Sequence, residues 1–453
     1  MVCVASGSFA PTWTLSPSPT MTAPILLTCL LAATSLSQAS DGWKTVFDGE
    51  SLEGWTAVGG RYDGKAVWTV EEGALVGREG AGHAGGLIYT ERDYMDFVIE
   101  LDAWITYPFD SGVFVRMRPD GKKGAQLTLD YRPNGEVGGI YADGYYYHNP
   151  APKEDWIRDG WNKVKVRCAG QPMHLSMWLN GVLVTDYLLP EDDGNWARTG
   201  KIGLQVHGGS SAPPTSKVMF RNVRVRELPP NAGKYWEQDS AGRKSLTAAG
   251  EAMGWRALFN GEDLTGWDAA GDGSGYRVQD GNLEFLTAGS SPHLATEKDY
   301  TDFQLRMDFQ TSAMANSGLF LRAARAGGNP AFSGCEIQIL DDFNWEKETG
   351  SKLKPYQFSG GLYGSVAPAV TNALKPLGEW NTYVVTYKGS RILTVLNGRI
   401  LYDVDTLELK PEQGAAWKDR AATGFIGLQR HAPGGAVEGD AYARFRNIYI
   451  REF

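Results

Sequence analysis

Cysteine is scarce in this chain, with four cysteines in 453 residues. Cys3 and Cys29 lie near the amino terminus, which leaves Cys168 and Cys335 for the body of the chain. The sequence has no Cys-x-x-Cys pair and no Cys/His cluster. A disulfide scaffold and a structural zinc site are therefore excluded. We expect Cys168 and Cys335 to be buried, unreactive side chains.

An excess of positive charge is also missing. The chain has 44 Lys and Arg residues against 53 Asp and Glu residues, for a net charge of −9 at pH 7. Such a surface offers no cationic field to a phosphate backbone. We therefore expect no nucleic-acid partner.

No apolar run is long enough to cross a membrane. The apolar run Ile25–Ala33 is too short to span a bilayer, so we expect no transmembrane segment. Small residues follow at Ser37 and Ala39, the minus-three and minus-one positions of a cleavage after Ala39. The pattern predicts a secretory signal peptide over residues 1–39, with Met21 as an alternative start. We expect an exported protein, periplasmic or extracellular.

Long amphipathic helices are absent, and short strand-like segments take their place. Phe97–Trp104 and Phe303–Phe309 alternate apolar with polar residues or are rich in aromatic and β-branched residues. Asn180-Gly181 and Asn397-Gly398 each stand between two such segments, the strongest local signal for a β-hairpin. The patterns predict an all-β protein built from antiparallel sandwiches or jelly rolls.

The body of the chain is an internal repeat of domain size. Matching residues of the two copies are 206 residues apart at Asp110 and Asn316 and 225 residues apart at Phe220 and Phe445. These spacings are far longer than the repeat period of solenoids and propellers. Two tandem domains are the economical interpretation. The matched segments are Phe47–Trp55 with Phe259–Trp267, Tyr94–Phe97 with Tyr300–Phe303, Asp110–Arg116 with Asn316–Arg322, Trp161-Asn162 with Trp380-Asn381, Leu179–Gly181 with Leu396–Gly398, Gly203–His207 with Gly427–His431, and Phe220–Val223 with Phe445–Ile448.

Domain boundaries follow from the repeat. Copy one covers residues 40–228 and copy two covers residues 254–453, with a linker over 229–253. Pro229-Pro230 ends the last strand-like segment of copy one, and polar sequence follows. Because the linker lacks the apolar pattern of a core element, we expect each copy to fold alone.

The ordered motifs carry a family resemblance. F-[DN]-G-x-x-L-x-G-W, Y-x-D-F, [ND]-S-G-x-F-x-R, G-x-E-x-Q-I-x-D, G-G-x-Y, W-N, L-N-G, G-L-Q-x-H and F-R-N-[VI] resemble 3-keto-disaccharide hydrolases, also described as 3-keto-glucoside 1,2-lyase/2-hydroxyglucal hydratase domains. The resemblance covers both copies. It implies two tandem concanavalin A-like jelly-roll sandwiches, an exported bacterial protein and substrates that are oxidised glycosides. Fold alone does not license the function, because jelly rolls serve both lectins and enzymes.

Cleavage of such a substrate has defined chemical needs. A ketone at C3 acidifies the C2 hydrogen, so a base removes it while the C1 oxygen leaves, and water then adds to the unsaturated product. The site needs a base, an acid for the leaving oxygen, and donors or a cation for the enolate charge.

Copy two offers residues of these types. In Cys335–Leu340, Glu336 and Gln338 share one face of a predicted strand. We predict Glu336 as the catalytic carboxylate and His431 as its acid-base partner. Each residue alone could equally be structural, Arg322 as an ion-pair partner of Glu336 for example. The substrate-binding candidates are Asn316, Arg322, Gln338, Asp341, Tyr363 and Gln429.

Copy one departs from this pattern at the decisive position, because Gln126 stands where copy two has Glu336. Copy one is therefore either a binding module or a second active site that uses Asp130 and His207. Its aromatic segment Tyr145–Tyr147 is suited to stacking on a sugar ring or to an interdomain contact. The candidates in copy one are Arg116, Gln126, Asp130, Tyr141, Gln205 and His207.

Three other possibilities bear on function. A Glu and His set could bind a divalent cation that polarises the ketone, although no spaced metal motif is present. A non-catalytic glycan-binding protein is the alternative class. Glu100 and Asp102 superficially match a glycosidase motif whose second Glu is missing, and we expect them to be surface residues.

Overall fold

Short strands and the turns between them make up nearly all of the regular structure. The computed structural model describes residues 42–58, 65–119, 122–149, 156–189, 194–209, 213–229, 231–326, 328–371, 373–437 and 439–453. The predicted signal peptide, residues 1–39, lies outside the described residues. No helix in those ranges is long and apolar enough to cross a membrane.

Copy one is built from strands alone in its described part. They are β1 (Trp43–Thr45), β2 (Trp55–Thr56), β3 (Val67–Glu71), β4 (Ala74–Arg78), β5 (Gly86–Thr90), β6 (Phe97–Ile105), β7 (Ser111–Met117), β8 (Ala125–Leu129), β9 (Val137–Tyr141), β10 (Tyr145–Tyr147), β11 (Asn162–Ala169), β12 (His174–Leu179), β13 (Val182–Leu188), β14 (Lys201–Val206) and β15 (Val218–Glu227).

The linker and copy two contain strands and a few short helices. The elements are β16 (Trp236–Gln238), β17 (Lys244–Leu246), α1 (Ala248–Ala252), β18 (Arg256–Ala257), β19 (Trp267–Ala269), β20 (Tyr276–Gln279), β21 (Asn282–Leu286), β22 (His293–Tyr300), β23 (Phe303–Thr311), β24 (Asn316–Ala323), α2 (Pro330–Ser333), β25 (Cys335–Leu340), α3 (Trp345–Thr349), β26 (Asn381–Lys388), β27 (Arg391–Leu396), β28 (Arg399–Asp405), β29 (Gly424–Arg430) and β30 (Ala441–Glu452), with 3-10 helices at Pro355–Gln357, Thr406–Glu408 and Trp417–Asp419.

Each copy folds into two stacked antiparallel sheets. The back sheet of copy one has the order β13-β12-β11-β6-β15-β4-β3, with β1 also paired to β15, and its front sheet has the order β10-β9-β8-β7-β14-β5-β2. In copy two the back sheet is β20-β21-β30-β23-β26-β27-β28, with β18 on β30, and the front sheet is β19-β22-β29-β24-β25. The predicted fold of two tandem jelly-roll sandwiches is confirmed.

Local sequence explains the strands and their turns. In β6 the side chains of Phe97, Ile99 and Leu101 are buried in the core, while Glu100 and Asp102 alternate with them on the outer face. The predicted hairpins are also present. The positive φ angles of Asn180 (49°) and Gly181 (91°) suit the tight turn between β12 and β13, and the same turn joins β27 to β28 in copy two.

The two copies share apolar packing. Val384, Leu393 and Val395, on β26 and β27 of copy two, belong to the hydrophobic cluster that forms the core of copy one. A second core, which contains Phe303 and Leu305, lies between the sheets of copy two. Residues 42–453 therefore form one compact unit, and the interface weakens the expectation that each copy folds alone.

The linker adds to this interface. Tyr235 and Trp255 pack with Leu188 of copy one and Tyr449 of copy two in one buried cluster. The short helix α1 is compatible with the linker sequence, whereas the hairpin β16–β17 is additional structure. The aromatic residues of the hairpin fill space between the copies.

Buried polar contacts also cross between the copies. Arg451 of copy two donates to the Asp186 carboxylate (2.9 Å) and lies 2.9 Å from Nε2 of His174. Burial lowers the pKa of His174 to about 4. Breaking one partner of such a buried set costs about 3 to 5 kcal/mol.

The cysteines behave as predicted. Cys168 and Cys335 are unpaired and buried. Burial raises the pKa of the Cys168 thiol to about 11 and that of Cys335 to about 12. Neither thiol is a nucleophile near neutral pH.

Candidate active site

The face of the front sheet that points away from the core of copy two carries the predicted carboxylate. Ile337 and Ile339 point into the core, so Glu336 and Gln338 on β25 point away from it. Gln338 pairs with Gly318 on β24, and Gly318 pairs in turn with Gln429 on β29. The sheet thus brings Glu336, Gln338 and Gln429 to one face, as the sequence predicted.

Gly318 makes room for the carboxyl group. A Cβ atom at this position would lie 2.1 Å from Oε1 of Glu336. The glycine of the Asn-Ser-Gly motif therefore lets the Glu336 side chain lie across β24, towards the side chain of Gln429.

Glu336 is the most perturbed carboxyl group on this face. Its side chain is 3% exposed, and burial raises its pKa to about 8, although a hydrogen bond from the Gln429 side chain acts in the opposite direction. A carboxyl group with this pKa exchanges a proton near neutral pH, as a general acid or base must.

Tyr363 stands beside Glu336. Its backbone N–H donates to the Glu336 carbonyl oxygen (2.9 Å), and the neighbouring pair Ile337 and Leu362 faces the core. Directly opposite residues have Cβ atoms about 5 Å apart, so the Tyr363 and Glu336 side chains start from neighbouring positions on one face. The Tyr363 hydroxyl accepts a hydrogen bond from Gln357 (3.4 Å).

Gln338 is oriented to donate hydrogen bonds. Its amide oxygen accepts from the backbone N–H of Ile339 (3.1 Å). The amino group of the amide is therefore the part left to hydrogen-bond a ligand, and a donor at this place can hold an enolate oxygen.

His293 completes this face and was missed in the sequence. It lies opposite Gln429 on β22 and stacks on Phe425 with ring centroids 5.6 Å apart. Burial lowers its pKa. No repeated motif marks it, because Leu87 holds the matching position opposite Gln205 in copy one.

His431 lies next to Asn316. It is exposed, and its Nδ1 is 3.2 Å from the Asn316 amide nitrogen. The Glu336 carboxyl lies beside Gly318, two residues further along β24. No hydrogen bond or ion pair joins Glu336 to His431 among the described residues, so their acid-base pairing stays a prediction.

Arg322 does not reach this face either. Its guanidinium donates to the Gly389 carbonyl (2.7 Å) and the Asp302 carboxylate (2.9 Å) and lies 3.5 Å from the Tyr387 ring centre. Arg116 of copy one does the same with Gly170 and Asp96. Both arginines tie the two sheets together, so their predicted role as substrate ligands is not supported.

Asp341 is a turn anchor. Its carboxylate accepts from the backbone N–H groups of Met314 (2.8 Å), Phe343 (3.1 Å) and Asn344 (3.2 Å). With its oxygens used in this way and its side chain fully buried, Asp341 is not free to bind substrate.

The front sheet of copy one lines an open cleft of about 910 Å³. Gln126 occupies the position of Glu336, since it pairs with Phe114 as Glu336 pairs with Phe320. The Gln126 amide donates to the Gln205 side chain (2.9 Å). The sequence candidates that line the cleft are Gln126, Asp130, Tyr141, Gln205 and His207.

Charged residues gather at one end of this cleft. Arg132 binds the Asp130 carboxylate with two nitrogens at 2.8 Å each and contacts Asp110 at 3.2 Å. His207 Nδ1 lies 3.6 Å from Asp110. Burial raises the pKa of Asp110, although His207 and Arg132 oppose the shift.

The aromatic segment of copy one serves both purposes considered from the sequence. Tyr145 lines the cleft with Tyr141, and their rings meet edge to face at 5.5 Å. Tyr147 is buried against Tyr187, whereas His148, directly after it, lies 3.5 Å from Asp403 of copy two. The segment is thus a cleft wall and an interdomain contact.

The divalent cation considered from the sequence lacks a ligand set in the described ranges. No group of three or more His, Cys, Asp or Glu side chains there is arranged to hold a metal ion.

Comparisons with known proteins agree with this architecture. The family model for the 3-keto-alpha-glucoside-1,2-lyase-like domain matches residues 42–226 and 254–451. The chain belongs to this family, with two copies of the domain. A 3-keto-disaccharide hydrolase of Bacteroides thetaiotaomicron is 30% identical over 203 residues, which cover 37% of this chain and 68% of that protein.

Solved structures also resemble parts of the chain. A glycosyl hydrolase candidate from Parabacteroides distasonis is 30% identical, with a TM-score of 0.38, and the match covers 46% of this chain and 98% of that one. A carbohydrate-binding module from Bacillus subtilis is 20% identical, with a TM-score of 0.27, over 38% of this chain and 96% of that one. The family and the hydrolase relative indicate a carbohydrate-acting enzyme.

Proposed function

We propose that copy two cleaves the glycosidic bond of 3-keto-glycosides by elimination and hydration. The observation that carries this proposal is Glu336, a carboxyl group on the front sheet whose pKa is raised to about 8 by burial. The family match and the named activity of the Bacteroides relative support the substrate class.

In the first half-reaction Glu336 acts as the base. The ionised carboxylate takes the C2 proton, a C1–C2 double bond forms, and the C1–O bond breaks. The leaving oxygen takes a proton from the Tyr363 hydroxyl. The amino group of Gln338 and the amide of Gln429 donate to the C3 oxygen as it gains enolate character.

The second half-reaction reverses these proton transfers. Water adds to C1 and gives its proton to the Tyr363 phenolate, while the Glu336 carboxyl returns a proton to C2. Both side chains end in their starting states, and the net reaction is hydrolysis. An unoxidised glycoside has no acidic C2 hydrogen, so it should not react.

The test is release of 4-nitrophenol from 4-nitrophenyl 3-keto-glucoside and from its unoxidised parent. We expect release from the keto substrate alone, and incorporation of deuterium at C2 of the product in D2O. Glu336→Gln should lower turnover by at least roughly 10². Glu379→Gln, an exposed carboxyl elsewhere in copy two, should leave it unchanged.

The pH profile gives an independent check. Because the base must be ionised, kcat/KM should rise with pH and level off above about pH 8, the pKa of Glu336. Release from the parent glucoside, or full activity in Glu336→Gln, would contradict the proposal.

We also propose that the protein is exported. The support is the apolar run and the Ser37 to Ala39 cleavage pattern in the sequence. Sequencing the amino terminus of the protein after expression in a bacterial host should give Ser40 as the first residue. Recovery of uncleaved protein from the cytoplasm would contradict export.

A further inference from the structure

The cleft on the front sheet of copy one has no part in the mechanism proposed for copy two. Its volume of about 910 Å³ lies within the range of small-molecule sites. The cleft is open along one side of the sandwich, which suits an extended ligand better than a single small molecule.

Its floor lacks an acid-base group at the position of Glu336. Gln126 and Gln205 form an amide pair there, 2.9 Å apart. An amide can hydrogen-bond a hydroxyl group through its free N–H and its carbonyl oxygen, but it cannot take a proton from carbon. The floor is therefore equipped to bind a sugar and not to start an elimination.

One wall is an aromatic corner that is held in place. Tyr141 is 38% exposed, and Tyr145 meets it at an interplanar angle of 78°. Tyr145 in turn stacks on His148 with ring centroids 4.3 Å apart, and His148 is bound by Glu136 and contacts Asp403. A fixed aromatic surface costs little entropy when a ligand binds.

The cleft also presents hydrogen-bonding groups that suit hydroxyls. Asp110 is 7% exposed, and its Oδ1 accepts no hydrogen bond among the described residues, with His207 Nδ1 at 3.6 Å. A buried acceptor without a donor is costly, and a sugar hydroxyl would supply the donor. Next to it Asp130 forms a bidentate ion pair with Arg132, and a paired carboxylate still has lone pairs that can accept from a hydroxyl.

The charges in the cleft indicate a ligand without net charge. Acidic and basic side chains are nearly balanced, so neither a polyanion nor a polycation is favoured throughout. The basic residues are Arg118, Lys122, Lys123 and Arg132, and the acidic ones are Asp110, Asp130 and Asp143.

We propose that the cleft of copy one binds a segment of a neutral oligosaccharide without cleaving it. Tyr141 and Tyr145 stack on the sugar rings, and Asp110, Asp130 and Gln126 hydrogen-bond their hydroxyls. The proposal is independent of the reaction assigned to copy two.

Calorimetric titration of the full chain tests this. The background is Glu336→Gln, so that cleavage in copy two cannot interfere, and the probes are maltotetraose and cellotetraose. We expect one of them to bind, and Tyr141→Ala to weaken its affinity at least roughly tenfold, as loss of a stacking ring does. Asp130→Asn should weaken it as well.

Trp178→Ala is the matched control. Trp178 is a half-buried aromatic residue of copy one on the back sheet, where it packs against Lys165. Its replacement should leave the affinity within about twofold. Absence of binding by both tetrasaccharides, or loss through Trp178→Ala while Tyr141→Ala binds normally, would overturn the proposal.

Thermal unfolding of each variant shows whether a lost affinity reflects lost fold. If Tyr141→Ala unfolds early, Asp130→Asn decides the outcome. A further outcome would also overturn the proposal. If the Glu336→Gln protein turned over the 3-keto-glucoside and adding Asp130→Asn abolished that turnover, copy one would be a second active site.

Discussion

The two copies agree at residues that hold the sandwich together, whereas on the outer face of the front sheet they keep some residues and exchange others. Arg116 and Arg322 make matching contacts with Asp96 and Asp302. In contrast, Glu336 is replaced by Gln126, and His293 by Leu87. Gln205 and Gln429 occupy equivalent positions on this face, so the exchanged residues are the ones that distinguish the two copies.

Separating the copies should have the largest effect on this comparison. Copy one expressed as residues 42–228 would lose Val384, Leu393 and Val395 from its core. Burial of each contributes about 1.5 to 3 kcal/mol, so we expect a loss of roughly 5 kcal/mol in its free energy of unfolding. Urea denaturation of 42–228, 254–453 and 42–453 measures it. Two halves as stable as the joined protein would restore the expectation of independent domains.

Exchanging the residue at the decisive position should have the next largest effect. Glu336→Gln makes copy two resemble copy one and should remove at least roughly 99% of turnover. Adding Gln126→Glu should not restore it, because Thr128 and Leu87 replace Gln338 and His293 in copy one. Turnover of the 3-keto-glucoside is the measurement. Recovery of turnover in the double variant would show that the carboxylate alone accounts for the difference in activity between the copies.

The buried carboxyl group also makes copy two sensitive to pH. Its pKa of about 8 lies above the ordinary value of 4.5, so the folded protein holds a proton that the unfolded chain releases. This stabilisation is complete below about pH 4.5 and is lost as the pH rises towards 8.

In the Glu336→Gln variant the side chain at this position is neutral at every pH. Relative to this variant, the wild type should lose stability on the order of 3 kcal/mol between pH 5 and pH 8. Urea denaturation at both pH values measures the change. A constant difference in the free energy of unfolding would show that Glu336 is not protonated in the folded state.

The glycines beneath the two side chains allow a finer test. A Cβ at Gly318 would lie 2.1 Å from the Glu336 carboxyl, and one at Gly112 would lie 2.3 Å from the Gln126 amide. Both contacts are with the ends of flexible side chains, so the fold should tolerate alanine.

Displacing the carboxyl should nevertheless cost about tenfold in turnover for Gly318→Ala. We expect Gly112→Ala to cost at least about fivefold less. Steady-state kinetics on the 3-keto-glucoside compares the two variants. Equal losses of turnover in the two variants would indicate that the front sheets of both copies, or of neither copy, carry the reaction.

Sequence analysis predicted the scaffold better than the site. Alternating patterns, Asn-Gly turns and the repeat were enough for two antiparallel sandwiches, because these signals are local or occur twice. The front-face residues Glu336, Gln338 and Gln429 were found from strand alternation. Arg322 was assigned to the same face, but the bulge at its positive φ of 50° turns its side chain between the sheets.

Long-range arrangement accounts for the remaining differences. The distance between the His431 and Glu336 side chains depends on the order and register of the strands, and no sequence motif specifies either. His293 lacks a counterpart in copy one, so comparison of the repeats does not find it. The apolar face of β26 and β27 has the same composition as an ordinary strand, and only the structure shows that it completes the neighbouring core.

That shared core bears on how the chain could have diverged after its duplication. Loss of copy one would expose the apolar face of β26 and β27 to water. It would also leave the buried Arg451 without its partner Asp186, so packing alone is a reason for the chain to retain copy one. A domain that is retained for the packing of its back sheet can change residues on its front sheet without being lost. Because the interface lies on the back sheets, the residue at position 126 can differ from its counterpart at position 336 without disturbing the packing between the copies.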